Sequence, residues 1–478
     1  MDRRIYGIET EYGLACTHQG SRKLGPDELA RYMFRGVVAR ARSSNVFLPN
    51  GSRLYLDVGN HPEYATAECD TLPDLLAQEQ AGDRVVLDLV VQATARLAAE
   101  DVEADVYVFK NNVDSAGNSY GCHENYLVER SGELAALTDR LLPFLMSRQL
   151  ICGAGRIVMP EPGRDDRPTF CLSQRADVMW EGASSATTRA RPMINTRDEP
   201  HADAQRFRRL HVIVGDSNLL QASTLLKVGS TDLVLRMIEA GVRMPDLVPA
   251  SRPPAIRTMS RDLTGRAQVD TSRGRKTSAL ELQRAYHALA HAFLADHGPA
   301  RPLDREVLDL WTRVLDAIES GRPQDVATEV DWVAKHRLIS GYADRHGLGL
   351  DHPRIAQLDL AYHDLQPGRG LASLLVRAGK ARVLVDADAV THAMSHPPST
   401  TRARMRGRFI AAAMAHGRDY TVDWSHLRLN DEAARTLMCK DPFVADDPRV
   451  ERLLQSLDGP APVTSSSQSP PRPPAVAS

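Results

Sequence analysis

Apolar positions recur along this chain with two different periods. In Arg53-Leu-Tyr-Leu-Asp-Val58 they fall at every second residue, so Leu54, Leu56 and Val58 share one face of a predicted strand and Arg53, Tyr55 and Asp57 the other. Within a strand-like stretch over 1–15, Ile8-Glu-Thr-Glu-Tyr12 places Glu9 and Glu11 together on one face in the same way. Glu63 follows on a loop stiffened by Pro62. Asp105–Lys110 and Asn125–Glu129 read as paired strands, and Arg208–Val214 as another. The longer helical period covers about 72–99, through Leu75, Leu76, Val85, Val86, Leu89 and Val90. It recurs near 133–150, 217–241, 278–297, 304–320 and 324–345. Pro26, Asp27 and Glu28 open a further helix with the first-turn chemistry helices favour. Strands placed before and among helices, without a regular βαβ rhythm, predict an α+β fold.

Ser395-His-Pro-Pro-Ser-Thr-Thr401 interrupts this pattern, and a basic helix over 402–416 opens a compact module. The chain therefore divides into a catalytic domain over 1–395, a small C-terminal domain over 396–458, and a Pro/Ser-rich tail over 459–478 expected to be disordered. With 478 residues there is room for a large core. A net charge of −2 argues against a nucleic-acid coat. No apolar run reaches the roughly 18 residues of a membrane span, and no signal-like hydrophobic stretch follows Met1, so a cytoplasmic location is expected. Six cysteines without a C-x-x-C pair signal neither zinc nor a disulfide framework.

Carboxylates gathered with an arginine and a tyrosine suit a magnesium–phosphate site, because Mg²⁺ takes hard oxygen ligands and commonly bridges to phosphate. A phosphate-cradling G-x-x-x-x-G-K-[ST] loop is absent, since Gly274-Arg-Lys-Thr-Ser lacks the glycine spacing. Neither H-E-x-x-H nor G-x-S-x-G occurs. Phosphate chemistry here must rest on carboxylates, magnesium and arginines.

Met1-Asp-Arg-Arg-Ile-Tyr-Gly-Ile-Glu-Thr-Glu-Tyr-Gly13 and Leu54-Tyr-Leu-Asp-Val-Gly-Asn-His-Pro-Glu-Tyr-Ala-Thr66 resemble the Pup ligase family. These enzymes attach the prokaryotic ubiquitin-like protein, Pup, to lysines. Further similar blocks are Phe109–Tyr126, Ser184–Arg189, Asn195–Ala202, Leu210–Asn218, Asp423-Trp424 and Lys440–Phe443, so the likeness runs from residue 1 to about 457. It implies a glutamine-synthetase-like core, a curved and largely antiparallel sheet backed by helices. It also implies ATP and Mg²⁺ as cofactors, with Pup and lysine-bearing proteins as partners and neither nucleic acid nor membrane.

The family's residues carry over one at a time. Asp57 matches the base that draws the proton from the attacking lysine, and its place on the strand face of Arg53 suits that role. Glu9 and Glu63 match metal-binding acids, and Tyr55 a position lining the metal site. Arg53, Thr66 and Trp424 match nucleotide-contacting positions. Glu11 is expected to support the metal site, and His211 to approach the phosphates. Arg189, Arg191 and Arg197 form a cluster suited to phosphate or carboxylate. Arg402, Arg404, Arg406 and Arg408 are expected to help hold an acidic partner. The nearest alternative is the related depupylase, which also deamidates Pup. Thr10 points that way, because many ligases have Asn there. The short connection from Glu11 to Asp57 points to the ligase. A glutamate–amine ligase for small molecules and a non-catalytic Pup-binding adaptor are the remaining alternatives; retention of Glu9, Asp57 and Glu63 disfavours the adaptor.

Overall fold

The computed structural model describes residues 1–458 apart from 2, 58, 115–116, 131, 161–166, 187–190 and 432–434. The tail at 459–478 and Arg189 lie outside the described residues. The first strands are β1 (Tyr6–Glu11), β2 (Gly13–His18), β3 (Ser21–Leu24), β4 (Asn45–Phe47), β5 (Arg53–Leu56) and β6 (Pro62–Ala65). They are followed by β7 (Asp105–Phe109), β8 (Cys122–Glu129), β9 (Arg156–Val158), β10 (Thr169–Cys171), β11 (Glu181–Ser184), β12 (Pro192–Asn195) and β13 (Phe207–Val212). Eight of these form one sheet in the order β11-β12-β13-β8-β1-β6-β5-β4. Every neighbouring pair in it is antiparallel except β11 with β12. The chain is thus α+β, with a large, mostly antiparallel sheet.

The alternation along β1 decides what the sheet faces. Tyr6, Ile8 and Thr10 are buried against the helices, while Gly7, Glu9 and Glu11 look out of the opposite face. Beneath lie α2 (Leu72–Ala99), which follows α1 (Pro26–Ala41) in the chain and is capped by the Thr71 hydroxyl accepting from Asp74 N–H at 3.2 Å, and the helix Gln221–Glu239. Nearly every residue in the second is buried, including Lys227, Asp232 and Arg236, so its polar groups are paired inside the core. Helix α2 approaches β6 closely at Gly82, where any Cβ would lie 2.4 Å from the Tyr64 ring. No described helix is long and apolar enough to cross a membrane.

Four expectations are corrected. The strand expected over 1–15 is two strands in different sheets, because the chain turns at Tyr12, whose buried hydroxyl donates to Asp83 at 2.8 Å. Strand β2 joins a second sheet of order β3-β2-β7. Consequently β7 does not pair with β8, both of whose edges are taken by β1 and β13. Pro62 opens a strand instead of a loop; at the first position its missing N–H disturbs little of the ladder. Strand β5 ends at Leu56, and Asp57 begins a tight turn closed by Asp57 N–H to His61 O at 3.0 Å. Asn60 in that turn has φ 60°, a conformation asparagine tolerates well.

The C-terminal segment has its own small core of Met405, Phe409, Leu427, Leu429, Val450, Leu453 and Leu457. It is joined to the main body by Arg402 and Arg406, both buried against Glu68. Arg404 pairs with Asp446 at 2.7 Å and Arg408 with Glu451 at 3.0 Å. The four arginines expected to hold an acidic partner are therefore engaged within the chain, two of them as buried anchors.

Burial alone would raise the Glu68 carboxyl, but the charges of Arg406 and Arg402 hold it down at about 2, from an ordinary value of 4.5. Its contribution is present above pH 4.5 and is lost as the pH falls toward 2. Glu68→Gln is expected to cost about 3–5 kcal/mol at pH 7, since it strands two buried cations. Denaturant unfolding at pH 7 and pH 3 checks this; the gap between variant and parent should narrow at the lower pH without closing.

Candidate active site

Register builds the site. Glu9 on β1 stands opposite Ala65 of β6 and His123 of β8, and Glu11 stands opposite Glu63, which in turn faces Tyr55 of β5. Asn125 of β8 faces Gly7 on one side and His211 of β13 on the other, and His211 faces Asn195 of β12. Side chains directly opposite in such ladders lie about 5 Å apart. Glu9, Glu11, Glu63 and Tyr55 therefore share one patch, with imidazoles and amides beside it.

The carboxylates are treated unequally. Glu9 accepts hydrogen bonds from Asn125 Nδ2 at 3.0 Å, His123 Nδ1 at 3.2 Å and Arg209 Nη1 at 3.4 Å. Burial opposes ionisation, but the His123 hydrogen bond and the nearby His211, His123 and Arg209 hold Glu9 well below the usual carboxylate range. Glu63 is pushed well up, first by burial and then by the charges of Glu9 and Glu11. Burial and the same neighbours, Glu9 and Glu63, push the Tyr55 hydroxyl far up, so it is a neutral phenol. The Arg53 guanidinium covers the Tyr55 ring at 4.3 Å and donates to Asn45 Oδ1 at 2.8 Å.

His211 has a defined tautomer. Asn195 Oδ1 accepts the Arg197 backbone N–H at 2.9 Å, so its Nδ2 faces His211 Nδ1 at 3.2 Å. Burial, against the attraction of Glu9, pushes His211 down to about 3, and the neutral ring keeps its proton on Nε2. That N–H lies 4.0 Å from Glu9 Oε2 and has no hydrogen-bond partner among the described residues. In that tautomer it is a donor directed toward Glu9, and the ligand atoms of Glu9, His123 and His211 lie within 4.8 Å of one another.

Asp57 sits at the far end of the patch. Its Oδ1 accepts the His61 backbone N–H at 2.7 Å and its Oδ2 meets His61 Nδ1 at 3.0 Å. Burial works against this carboxylate, yet the His61 hydrogen bonds hold it below its ordinary range. Ligand atoms of Glu11, Asp57 and His61 lie within 4.8 Å of one another. At the opposite end, a cleft with about 560 Å³ of open space is lined by Gly7, Glu9, Thr66, His201 and Trp424. The Thr66 hydroxyl accepts the Ile8 N–H at 3.1 Å, which leaves its own O–H to donate into the cleft. Trp424 is held edge-on to Phe47 at 4.9 Å with the Arg406 guanidinium 5.0 Å over its ring.

The order along the sheet is thus an apolar slot at Gly7, carboxylates at Glu9 and Glu63, and a hydrogen-bonded aspartate beyond Glu11. The oxygens of Glu9, Glu63 and Tyr55 fit a hard divalent cation, and the charge that lifts Glu63 is what such a cation relieves.

A family model described as Pup-ligase protein matches residues 4–428. The chain belongs to the Pup-ligase family. A Pup--protein ligase of Nakamurella multipartita is 58% identical over 457 residues, covering 96% of this chain and 100% of that relative. One of Saccharomonospora viridis matches at the same identity and coverage. Among solved structures, the complex between Pup and its ligase PafA matches with TM-score 0.91 at 49% identity, over 95% of this chain and 91% of that one. PafA in complex with ADP matches with TM-score 0.83 at 50% identity, over 92% and 96%.

In this Pup-ligase chain, Glu9, Tyr55 and Glu63 come together with Arg53 beside them, and Thr66 and Trp424 share the cleft that Glu9 closes. Arg197 is half-exposed beside Glu199 at 3.5 Å. His123, Asn125, Arg209 and His61 went unnoticed in the sequence pattern, although His123 and Asn125 alternate with buried Cys122, Glu124 and Tyr126. Because Glu63 is crowded by like charge, Glu63→Gln is expected to raise the metal-free melting temperature by a few degrees and to abolish stabilisation by added MgCl₂. Differential scanning calorimetry with EDTA and with magnesium reads both effects.

Proposed function

We propose that this site joins the γ-carboxylate of the C-terminal glutamate of Pup to lysine ε-amines with ATP, and that the roles below divide the work. A carboxylate and an ammonium do not condense unaided in water. The carboxylate oxygen attacks the γ-phosphorus of ATP, ADP leaves, and an acyl phosphate results. The lysine nitrogen then attacks the acyl carbon, phosphate leaves, and an isopeptide bond remains.

Trp424 and the small residues at Gly7 and Ala65 take the base, and the Thr66 hydroxyl donates to the nucleotide. Arg53 and the His211 Nε2–H donate to the phosphates, where negative charge builds. Glu9, Glu63 and Tyr55 would hold magnesium, which neutralises phosphate charge. Asp57, oriented by His61, accepts the proton that lysine must lose, because its unperturbed pKa is about 10.4. The observation that carries the reading is the linear order of cleft, carboxylates and hydrogen-bonded aspartate on one sheet face. The near-complete match to a ligase solved with Pup supports the partner, and the match to one solved with ADP supports the nucleotide. We also propose that 1–395 carry the ATP chemistry and that 396–458 close the cleft through Trp424, in a protein that works in the cytoplasm.

Thr10, which pointed toward a depupylase, is 2% exposed on the core face of β1 and does not touch the site. The connection from Glu11 to Asp57 consists of β2, β3, a helix Pro26–Ala41, β4 and β5.

Intact-mass analysis of a lysine-bearing acceptor with ATP, Mg²⁺ and Pup ending in glutamate tests the function; the acceptor should gain one Pup minus one water. Release of Pup from a preformed conjugate without any such gain would overturn it. Asp57→Asn should keep ADP formation and lose about 100-fold or more in lysine conjugation. It should retain near-parental turnover with hydroxylamine, which is already neutral at pH 7.5. Glu9→Ala should abolish ADP formation with either acceptor.

A further inference from the structure

Arg175 is a buried cation that no acid among the described residues pairs with. The residue is 3% exposed, yet its Nε and Nη1 have no hydrogen-bond partner and no carboxylate pairs with it among the described residues. Each of the other buried arginines has an acid: Arg4 has Asp232, Arg148 has Glu124, Arg236 has Asp304, and Arg402 and Arg406 share Glu68. An uncompensated buried charge is strongly unfavourable, and an arriving anion relieves it.

The position is built, not loose. Arg175 N–H donates to Ser173 Oγ at 3.0 Å and Asp216 Oδ1 at 3.2 Å. The adjacent Gln174 accepts the Asn112 N–H at 2.6 Å and donates to Gly155 O at 3.1 Å. Asn112 Nδ2 donates to Tyr120 O at 3.2 Å, the Tyr120 ring packs edge-on against His61 at 4.7 Å, and Gly121 N–H donates to Glu11 Oε2 at 2.6 Å, so this segment borders the Asp57 end of the patch. Across the Gln174–Asn112 bond, Asn111 is also buried, and its Oδ1 has no hydrogen-bond partner. One neighbourhood therefore holds an unpaired double donor and an unpaired acceptor. A C-terminal residue offers the complement, a carboxylate and a peptide N–H.

We propose that Arg175 and Asn111 form the subsite for the last residue of the donor chain, Arg175 taking its α-carboxylate and Asn111 Oδ1 its peptide N–H. The side-chain γ-carboxylate is then the free carboxylate, directed toward Glu9 and the phosphates, and the α-carboxylate is withheld from activation. This rests on the reading of the site as a carboxylate-activating ligase.

The test is ADP release by the full chain with Pup ending in glutamate and with the same Pup carrying a C-terminal α-carboxamide. The parent should need about 10- to 100-fold more of the amide for half-maximal rate, the effect of one charge-assisted hydrogen bond. Arg175→Gln should need similarly more of the native donor and should no longer distinguish the two, with half-saturating ATP unchanged; Arg175→Lys should recover part of the preference. A variant that still distinguishes them as the parent does, or one in which half-saturating ATP rises instead, overturns the proposal. Removing an unpaired cation should leave the melting temperature unchanged or higher, whereas a fall would assign Arg175 a structural role and also overturn it. Absence of ADP release by the parent with native Pup would instead sink the ligase reading beneath it.

Discussion

Repulsion among Glu9, Glu11 and Glu63 is the constraint around which this structure is organised. Three acids on one sheet face, carried by two adjacent strands, would separate if the backbone allowed it. The ladder of β1 between β6 and β8 does not, because Tyr6, Ile8 and Thr10 on the reverse face are sealed in the core. The protein then breaks the symmetry. Glu9 receives donors from Asn125, His123 and Arg209, and Glu63 is left to bear the surplus negative charge. Environments that push neighbouring acids apart assign them different tasks. One is a permanent anion, and the other calls for a proton or a cation.

Holding such a patch demands a stiff frame, and buried ion pairs fix its geometry at points far apart in the chain. Lys110, at the end of β7, reaches Glu79 at 2.8 Å and Asp83 at 2.9 Å on α2, and Asp83 also receives the Tyr12 hydroxyl where the chain leaves the main sheet. Arg148 grips Glu124 directly beneath the face that carries His123 and Asn125. Such pairs add little net stability over apolar substitutes. Their partners are single and specific, however, so they set register where apolar packing alone would tolerate a slip. Arg175 stands out against this background because no carboxylate among the described residues pairs with it.

The cleft beside Gly7 is a different kind of assembly. Its floor comes from β1, β6 and β8, and its wall from His201 and Trp424, the latter more than four hundred residues from Gly7. Trp424 arrives there because its module is riveted to the main body through Glu68, and because Phe47 and Arg406 hold the indole in place. The indole therefore depends on a salt bridge whose acid, Glu68, belongs to the main body.

Local periodicity determined much of this in the sequence itself. The expected helices at 278–297 and 304–320 are Ala279–His297 and Asp304–Glu319, the first bounded by a Ser278–Glu281 capping box. The pairing of Glu9 with Glu11 on one face, and of Arg53 with Tyr55, followed from a two-residue repeat that any strand obeys. The tertiary structure alone decided that β2 and β7 pair, that Tyr12 breaks the first strand, and that Asp57 lies in a turn with His61. It also decided that Arg402 and Arg406 are anchors, and that His123 and Arg209 meet Glu9. Periodicity is a property of neighbours in sequence. Strand pairing, burial of a charge and the supply of its counter-ion depend on residues that meet only when distant segments have packed.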